Sequence, residues 1–270
     1  MAMARSHRAS VTGFLGGFTI ASLGGMIGLG GAEFRLPLLV GVFRLPSLQA
    51  VILNKATSLV VVICAFAARS LVLPPSALWP HGWIALNLLA GSLFGAWWAA
   101  GHAMTLSRGA LDRLILGLLL GLGLLMLAES VWHMDSGGQA LFADTWVLVP
   151  LGLLAGLLIG AVAAVLGVAG GELLIPTIVL LYGVEIKLAG SLSLLVSLPT
   201  MLVGFLRYRQ SGAFAVLSRE KGLFQVLTAG SVLGAITGGL LLGLVPAGVL
   251  TAVLGFLLLG SAWKIFRHGR

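Results

Sequence analysis

The chain has 270 residues, 59% hydrophobic and only 9% charged, with a mean hydropathy of +1.11. A soluble domain carries about 25% charged residues, so this composition excludes a water-covered globular domain and calls for apolar runs of about 20 residues that cross a bilayer. The net charge of +8 sits at the ends of those runs, where membrane topology requires it; that placement argues against nucleic acid and leaves membrane lipid and a small solute as the expected partners.

In chain order, apolar runs cover about 11–44, 47–70, 79–104 and 108–130, then about 145–184, 187–208, 222–244 and 246–266. The first follows Arg5, His7 and Arg8 and superficially resembles a signal peptide. It continues into a glycine-rich stretch that recurs later, so it is read as a retained membrane segment. That stretch is Gly28-Leu29-Gly30-Gly31-Ala32-Glu33, followed by Pro37; its second copy is Gly167-Val168-Ala169-Gly170-Gly171-Glu172, followed by Pro176. The offset from Gly28 to Gly167, 139 residues, also superposes Gly13 on Gly152, Ser58 on Ser197, Gly95 on Gly234 and Gly121 on Gly260. One ungapped register over such a length marks an internal duplication. Residues 1–134 form the first repeat and 135–270 the second. The first run of each repeat is too long for one span, and the glycines divide it into a hairpin with the motif at its tip.

Lys and Arg near span ends set the orientation. Arg207, Arg209, Arg219 and Lys221, the tail with Lys264, Arg267 and Arg270, the loop with Arg108 and Arg113, and Arg5 with Arg8 all read as cytoplasmic, so both termini lie inside. The linker with Glu129, Asp135 and Asp144 has no Lys or Arg and reads as external; Arg69, at an external end, is the exception. Three full spans after each hairpin then turn the second copy over. The expected fold is an all-α polytopic membrane protein of two inverted-topology repeats, the plan of many secondary transporters, with a site near the midplane.

At each glycine break a helix restarts with free N–H groups and a positive dipole end, which suits an anion. Gly30, Gly31, Gly170 and Gly171 are therefore candidate binding positions. Glu33 and Glu172, at the starts of the restarted helices, either cap free N–H groups or carry protons from a low-dielectric site. Pro37 and Pro176 suit an opening helical turn. Lys55, about eight positions into its run, is too deep to reach the interface easily and needs a partner, either Glu33 or a bound anion. Asn54, Thr57 and Ser58 lie beside it. The matching stretch in the second repeat, Ser191, Ser193, Ser197 and Thr200, offers hydroxyls without a cation. The expected substrate-binding set is thus Gly30, Gly31, Asn54, Lys55, Ser58, Gly170, Gly171, Ser193 and Ser197. Arg207, Tyr208 and Arg209 close a span and serve topology or a gate. Cys64 reads as a small buried hydrophobe. His81, His102 and His133 lack metal-ligand spacing. No nucleophile–base arrangement or phosphate loop is present, so neither catalysis nor a cofactor is expected.

These motifs, with Asn54-Lys55 in the first half and Ser191-Leu192-Ser193-Leu194 in the second, resemble the TauE/SafE family, the sulfite and organosulfonate exporters and permeases of bacterial inner membranes. The resemblance covers nearly the whole chain. It implies a secondary transporter, in a bacterial inner membrane, for a small sulfur oxyanion or sulfonate, with proton coupling through Glu33 or Glu172 as an option. An anion channel, or a transporter of another small carboxylate or oxyanion, is the alternative. Two departures bear on the substrate: Ala32 stands where a third glycine is often found, and Ala169 lies inside the second motif. Arg35, just after Glu33, is unexpected in so apolar a segment; it either adds a second positive charge to the site or pairs with Glu33. The sequence leaves the oligomeric state open, a homodimer included.

Overall fold

The computed structural model describes residues 2–27, 31–72, 74–132, 144–241, 252, 255, 256, 259 and 260. Its helices, in order, are α1 (Ala2–Ile27), α2 (Ala32–Gly41), α3 (Ser47–Val72), α4 (Gly82–Thr105), α5 (Arg108–Trp132), α6 (Thr145–Leu166), α7 (Gly171–Tyr182), α8 (Ile186–Tyr208), α9 (Val216–Arg219) and α10 (Lys221–Leu240), with short 3₁₀ turns at Pro75–His81 and Gly212–Ala215. There is no strand among the described residues. The helix starts repeat at the offset read from the motifs: Ala32 and Gly171, Ser47 and Ile186, Gly82 and Lys221 each differ by 139. The apolar run at 246–266 falls largely outside the described residues.

Each break is made by glycine in a conformation that side chains resist. Gly31 (φ 66°) precedes α2, Gly167 (φ 69°) ends α6 and Gly170 (φ 77°) precedes α7. All three are in the left-handed region, where a Cβ costs roughly 1–2 kcal/mol. The Gly167 N–H donates back to the carbonyls of Ala163 and Ala164, which closes α6. Space is restricted as well: a Cβ on Gly31 would lie 2.6 Å from the carbonyl oxygen of Ile20. Pro37 and Pro176 occupy the sixth positions of α2 and α7, in the second turn rather than the opening one. A proline there withholds the N–H that would reach four residues back, so the carbonyls of Glu33 and Glu172 lose their helical donors.

Both broken segments fold back on themselves. Gly13 of α1 lies beside Phe43 just beyond α2, and Gly16 beside Leu38; in the second half Gly152 of α6 lies against Tyr182 at the end of α7. In each pair the second helix therefore runs back along the first. At about 1.5 Å per residue, α2 and α7 rise roughly 15 and 18 Å, short of a hydrocarbon core of about 30 Å.

The halves pack crosswise. The most extensive helix contacts are α1 on α10 and α6 on α4, each joining the first helix of one half to a helix of the other. Gly91 and Gly95 of α4 seat the carbonyls of Leu153 and Leu157 of α6; at the same offset, Gly230 and Gly234 of α10 seat those of Phe14 and Phe18 of α1. Small residues let backbones meet this closely in a membrane, where burial of oil against oil supplies little. At the centre, Lys55 of α3 lies against Gly204 of α8 and Arg69 against Gly190, so these two equivalent helices run antiparallel.

Among the described residues five helices, α3, α4 (with the turn before it), α6, α8 and α10, are long and apolar enough to cross a membrane. Their outer faces expose large apolar side chains, among them Leu86, Phe94, Trp97, Leu154, Leu158 and Leu233. Meanwhile Glu33, Arg35, Asn54, Lys55, Thr57 and Ser58 are wholly enclosed. Apolar outside and polar within is the distribution of a multi-pass membrane protein.

Candidate functional site

The buried polar groups gather where α2 and α7 begin and where α3 passes them. Arg35, in the first turn of α2, is fully enclosed. Its Nε donates to Asn54 Oδ1 at 3.2 Å and its Nη2 to Ser58 Oγ at 2.6 Å. Asn54 in turn donates through Nδ2 to the carbonyl of Ala32 at 2.9 Å, which ties α3 to the first residue of α2. Asn54 and Ser58 are one helical turn apart, so both meet the guanidinium from one face of α3. The remaining nitrogen, Nη1, is buried without a hydrogen-bond partner. A guanidinium in the bilayer interior is costly unless its donors are used, and here the two N–H groups of Nη1 are left over.

Glu33 and Glu172 come from equivalent positions of the two halves, the second residue and its counterpart in the restarted helices, and both are buried. The Glu172 carboxyl faces that of Glu33, and Arg35 lies within electrostatic range of both. Neither Glu33 oxygen attains hydrogen-bond geometry. Arg35 thus spends its bonds on Asn54 and Ser58, not on an ion pair with its neighbour. The N-caps of α2 and α7 are Gly31 and Gly170, with no side-chain capping bond.

In the second half Leu174 stands where Arg35 stands in the first. Ser193, at the place of Asn54, turns back to the carbonyl of Gly190 at 2.8 Å. Ser197, at the place of Ser58, is buried with its hydroxyl unpartnered. Thr200 and Ser92 share a hydrogen bond of 2.7 Å between α8 and α4. Ser191 accepts from Arg69 Nε at 3.2 Å, towards the opposite end of α3 from Lys55.

Lys55 has a different setting from the one its sequence suggested. Its ammonium reaches the carbonyl of Ala163 at 3.5 Å, not Glu33, while the Tyr208 hydroxyl donates to the next carbonyl, Ala164, at 3.0 Å. Both carbonyls belong to the last turn of α6, whose negative dipole end favours a cation. Tyr208 is fully enclosed. Its neighbour Arg207 lies over the Trp97 ring, 4.6 Å from the centroid, and contributes a cation–π contact at the end of the span.

Of the residues expected to bind substrate, Asn54 and Ser58 meet on Arg35, while Gly31, Gly170 and Gly171 form the two helix starts. Gly30 lies outside the described residues, as does Gly28. Arg35 is the organising residue that the binding set omitted. Its signal was present, a lone arginine in an apolar segment, but nothing in the sequence gave its partners. Chemically, the locus offers an unpartnered guanidinium nitrogen with two N–H groups, an unpartnered serine hydroxyl in the second half, two helix starts with glycine N-caps and two facing carboxyls.

The model of the family described as Sulfite exporter TauE/SafE matches residues 151–270. The matched region holds α7, α8 and α10, and with them Gly170, Glu172, Ser193 and Ser197. No curated protein and no solved structure matches the chain.

Proposed function

We propose that the whole chain is a TauE/SafE-type secondary transporter that moves a small anion, such as sulfite or an organosulfonate, across a bacterial inner membrane. The observation that carries the reading is Arg35, enclosed among apolar helices and bonded to Asn54 and Ser58, with Nη1 left unpartnered. A sulfonate or sulfite oxygen is a strong acceptor for such a donor, and the starts of α2 and α7 supply further N–H groups of favourable dipole. The binding locus comprises Arg35, Gly31, Asn54, Ser58, Gly170, Gly171, Ser193 and Ser197, whereas Lys55 is turned away to the end of α6. The antiparallel packing of α3 on α8 supports an inverted repeat, and the Lys and Arg residues near span ends favour cytoplasmic termini. Such a repeat suits alternating access around one site. Glu33 and Glu172 are the groups available for proton coupling.

Thermal stabilisation of the purified protein by a panel of sulfite, organosulfonates, sulfate and carboxylates tests the site, with Arg35→Leu as the comparison. Stabilisation by one anion class that disappears in the variant supports the reading; equal stabilisation of both proteins removes Arg35 from it. Reversal potentials in liposomes separate carrier from channel. A passive channel follows the anion gradient alone, whereas a coupled carrier also responds to a second ion.

A further inference from the structure

Three features of the site decide how its charge balances. First, the two facing carboxyls and one guanidinium are enclosed together. Second, both Glu33 oxygens lack a hydrogen-bond partner. Third, among the described residues the neighbouring helices bring no further charged side chain to them. On α3, Lys55 is turned to the end of α6 and Arg69 lies beside Gly190 and Ser191; the remaining titratable group of that helix is Cys64. α1 between residues 10 and 25, α6, and α8 between residues 188 and 206 carry no titratable side chain, and on α7 only Tyr182, at its far end, accompanies Glu172.

With both glutamates ionised, the cluster would hold a net negative charge inside the hydrocarbon. Two carboxylates in one low-dielectric site do not both ionise readily. An anion arriving at Arg35 Nη1 would add a further negative charge beside them. One proton on the pair removes the first excess, and uptake of another with the anion removes the second.

We propose that Glu33 and Glu172 hold one proton between them and that proton uptake by this pair accompanies anion binding at Arg35, so that anion and proton move together. The second part rests on the transporter reading; the first does not. Only O–H bonds form and break: a carboxylate takes a proton from water on one side and returns it on the other. The two carboxyls come one from each half, so the proton sits at the seam that alternating access would open and close. The resting proton needs both carboxyls, because removing either leaves a single carboxylate balanced by Arg35; the proton that enters with the anion needs only one of them.

Two measurements separate the parts. Infrared spectra of the purified protein at neutral pH should show the carbonyl stretch of a buried protonated carboxyl, lost in Glu33→Gln and equally in Glu172→Gln. In liposomes loaded with a pH-sensitive dye, a sulfite or organosulfonate gradient should drive proton movement in the wild type. That movement should persist in either single variant and fall at least tenfold in the double variant, while anion binding by thermal shift persists. Melting curves verify that each variant is folded, and Glu172→Gln carries the infrared test if Glu33→Gln does not fold. A wild-type spectrum without the band, a band that survives in one variant, or flux that follows a sodium gradient instead of a proton gradient overturns the proposal. A band that behaves as expected in a protein that moves no anion of the panel keeps the shared proton and overturns the transporter reading and its coupling.

Discussion

Arg35 of α2 donates to Ser58 of α3 at 2.6 Å, a bond with no counterpart across the repeat, because Leu174 stands where the arginine would be and the hydroxyl of Ser197 is left unpartnered. The two halves therefore share a backbone frame and differ in charge at its centre. An anion site made from such a frame is one-sided. The first half supplies the cation, and the second supplies a helix start and hydroxyls.

Arg35→Leu, which copies the second half, should weaken binding of the preferred anion by about ten- to a hundredfold. Hydrogen bonds to charged groups contribute about 1.5–3 kcal/mol, and about 1.4 kcal/mol is a factor of ten. Asn54→Leu should cost about tenfold, because it releases Arg35 Nε and the Ala32 carbonyl but keeps the charge. Isothermal titration in detergent measures both; an unchanged Kd for Arg35→Leu would move the site elsewhere.

Lys55 and Tyr208 should behave as parts of the α6 terminus. Lys55→Met should lower the melting temperature while changing anion affinity less than threefold, since the ammonium is directed to Ala163 and not to Arg35. Tyr208→Phe should destabilise by about 1 kcal/mol, the usual contribution of one hydrogen bond. Thermal melts beside anion titrations separate the two roles, and a Lys55→Met loss as large as that of Arg35→Leu would return the lysine to the binding site.

The glycine seams make an equivalent pair of tests. Gly91→Val and Gly230→Val each force a side chain onto a carbonyl of the neighbouring helix, Leu153 in one and Phe14 in the other. Overpacking of this kind costs about 1–3 kcal/mol or more. Gly117→Ala on α5, where an added Cβ meets nothing within 4 Å, should be nearly neutral. Matched losses for the first two and none for the third, read by fluorescence-detected melting, would fit the crosswise packing.

At the breaks, Gly31→Ala should be more damaging than Gly170→Ala. Both place a side chain in the left-handed region at roughly 1–2 kcal/mol. Gly31 adds a backbone contact with Ile20 at 2.6 Å, whereas Gly170 meets side-chain atoms of Ala163 and Ile159, both at 3.2 Å, and a backbone oxygen only at 4.0 Å. Equal melting temperatures for the two variants would contradict this.

The repeat was legible because it is written in glycines, and a glycine needed for close approach cannot be exchanged cheaply. The offset between Gly28 and Gly167 recurs in the helix starts and again in the pairs of carbonyls seated on Gly91 and Gly230. What hydropathy could not give was partnership. Lys55 and Arg35 are both lone cations in apolar runs, and sequence favoured Lys55 because it lies deep in its run, with Asn54 and Ser58 beside it. Helical geometry carries Lys55 towards the end of α6 instead and leaves Asn54 and Ser58 facing α2. The positions of Pro37 and Pro176 were read one turn too early, since the start of each restarted helix depends on glycine dihedrals that sequence does not display.

The seam between α1 and α10 has a consequence for how the protein is made. The partner of the first helix, α10, begins 194 residues after α1 ends, at Lys221 against Ile27. At roughly 5–20 residues per second, α1 would wait on the order of 10–40 s in the bilayer with its glycine face uncovered. α6 meets α4 without such delay, since α4 is already inserted when α6 emerges. Assembly is thus ordered in time although the finished halves are equivalent, and the first hairpin is the part most exposed to quality-control proteases and to membrane insertases that shelter unpaired helices.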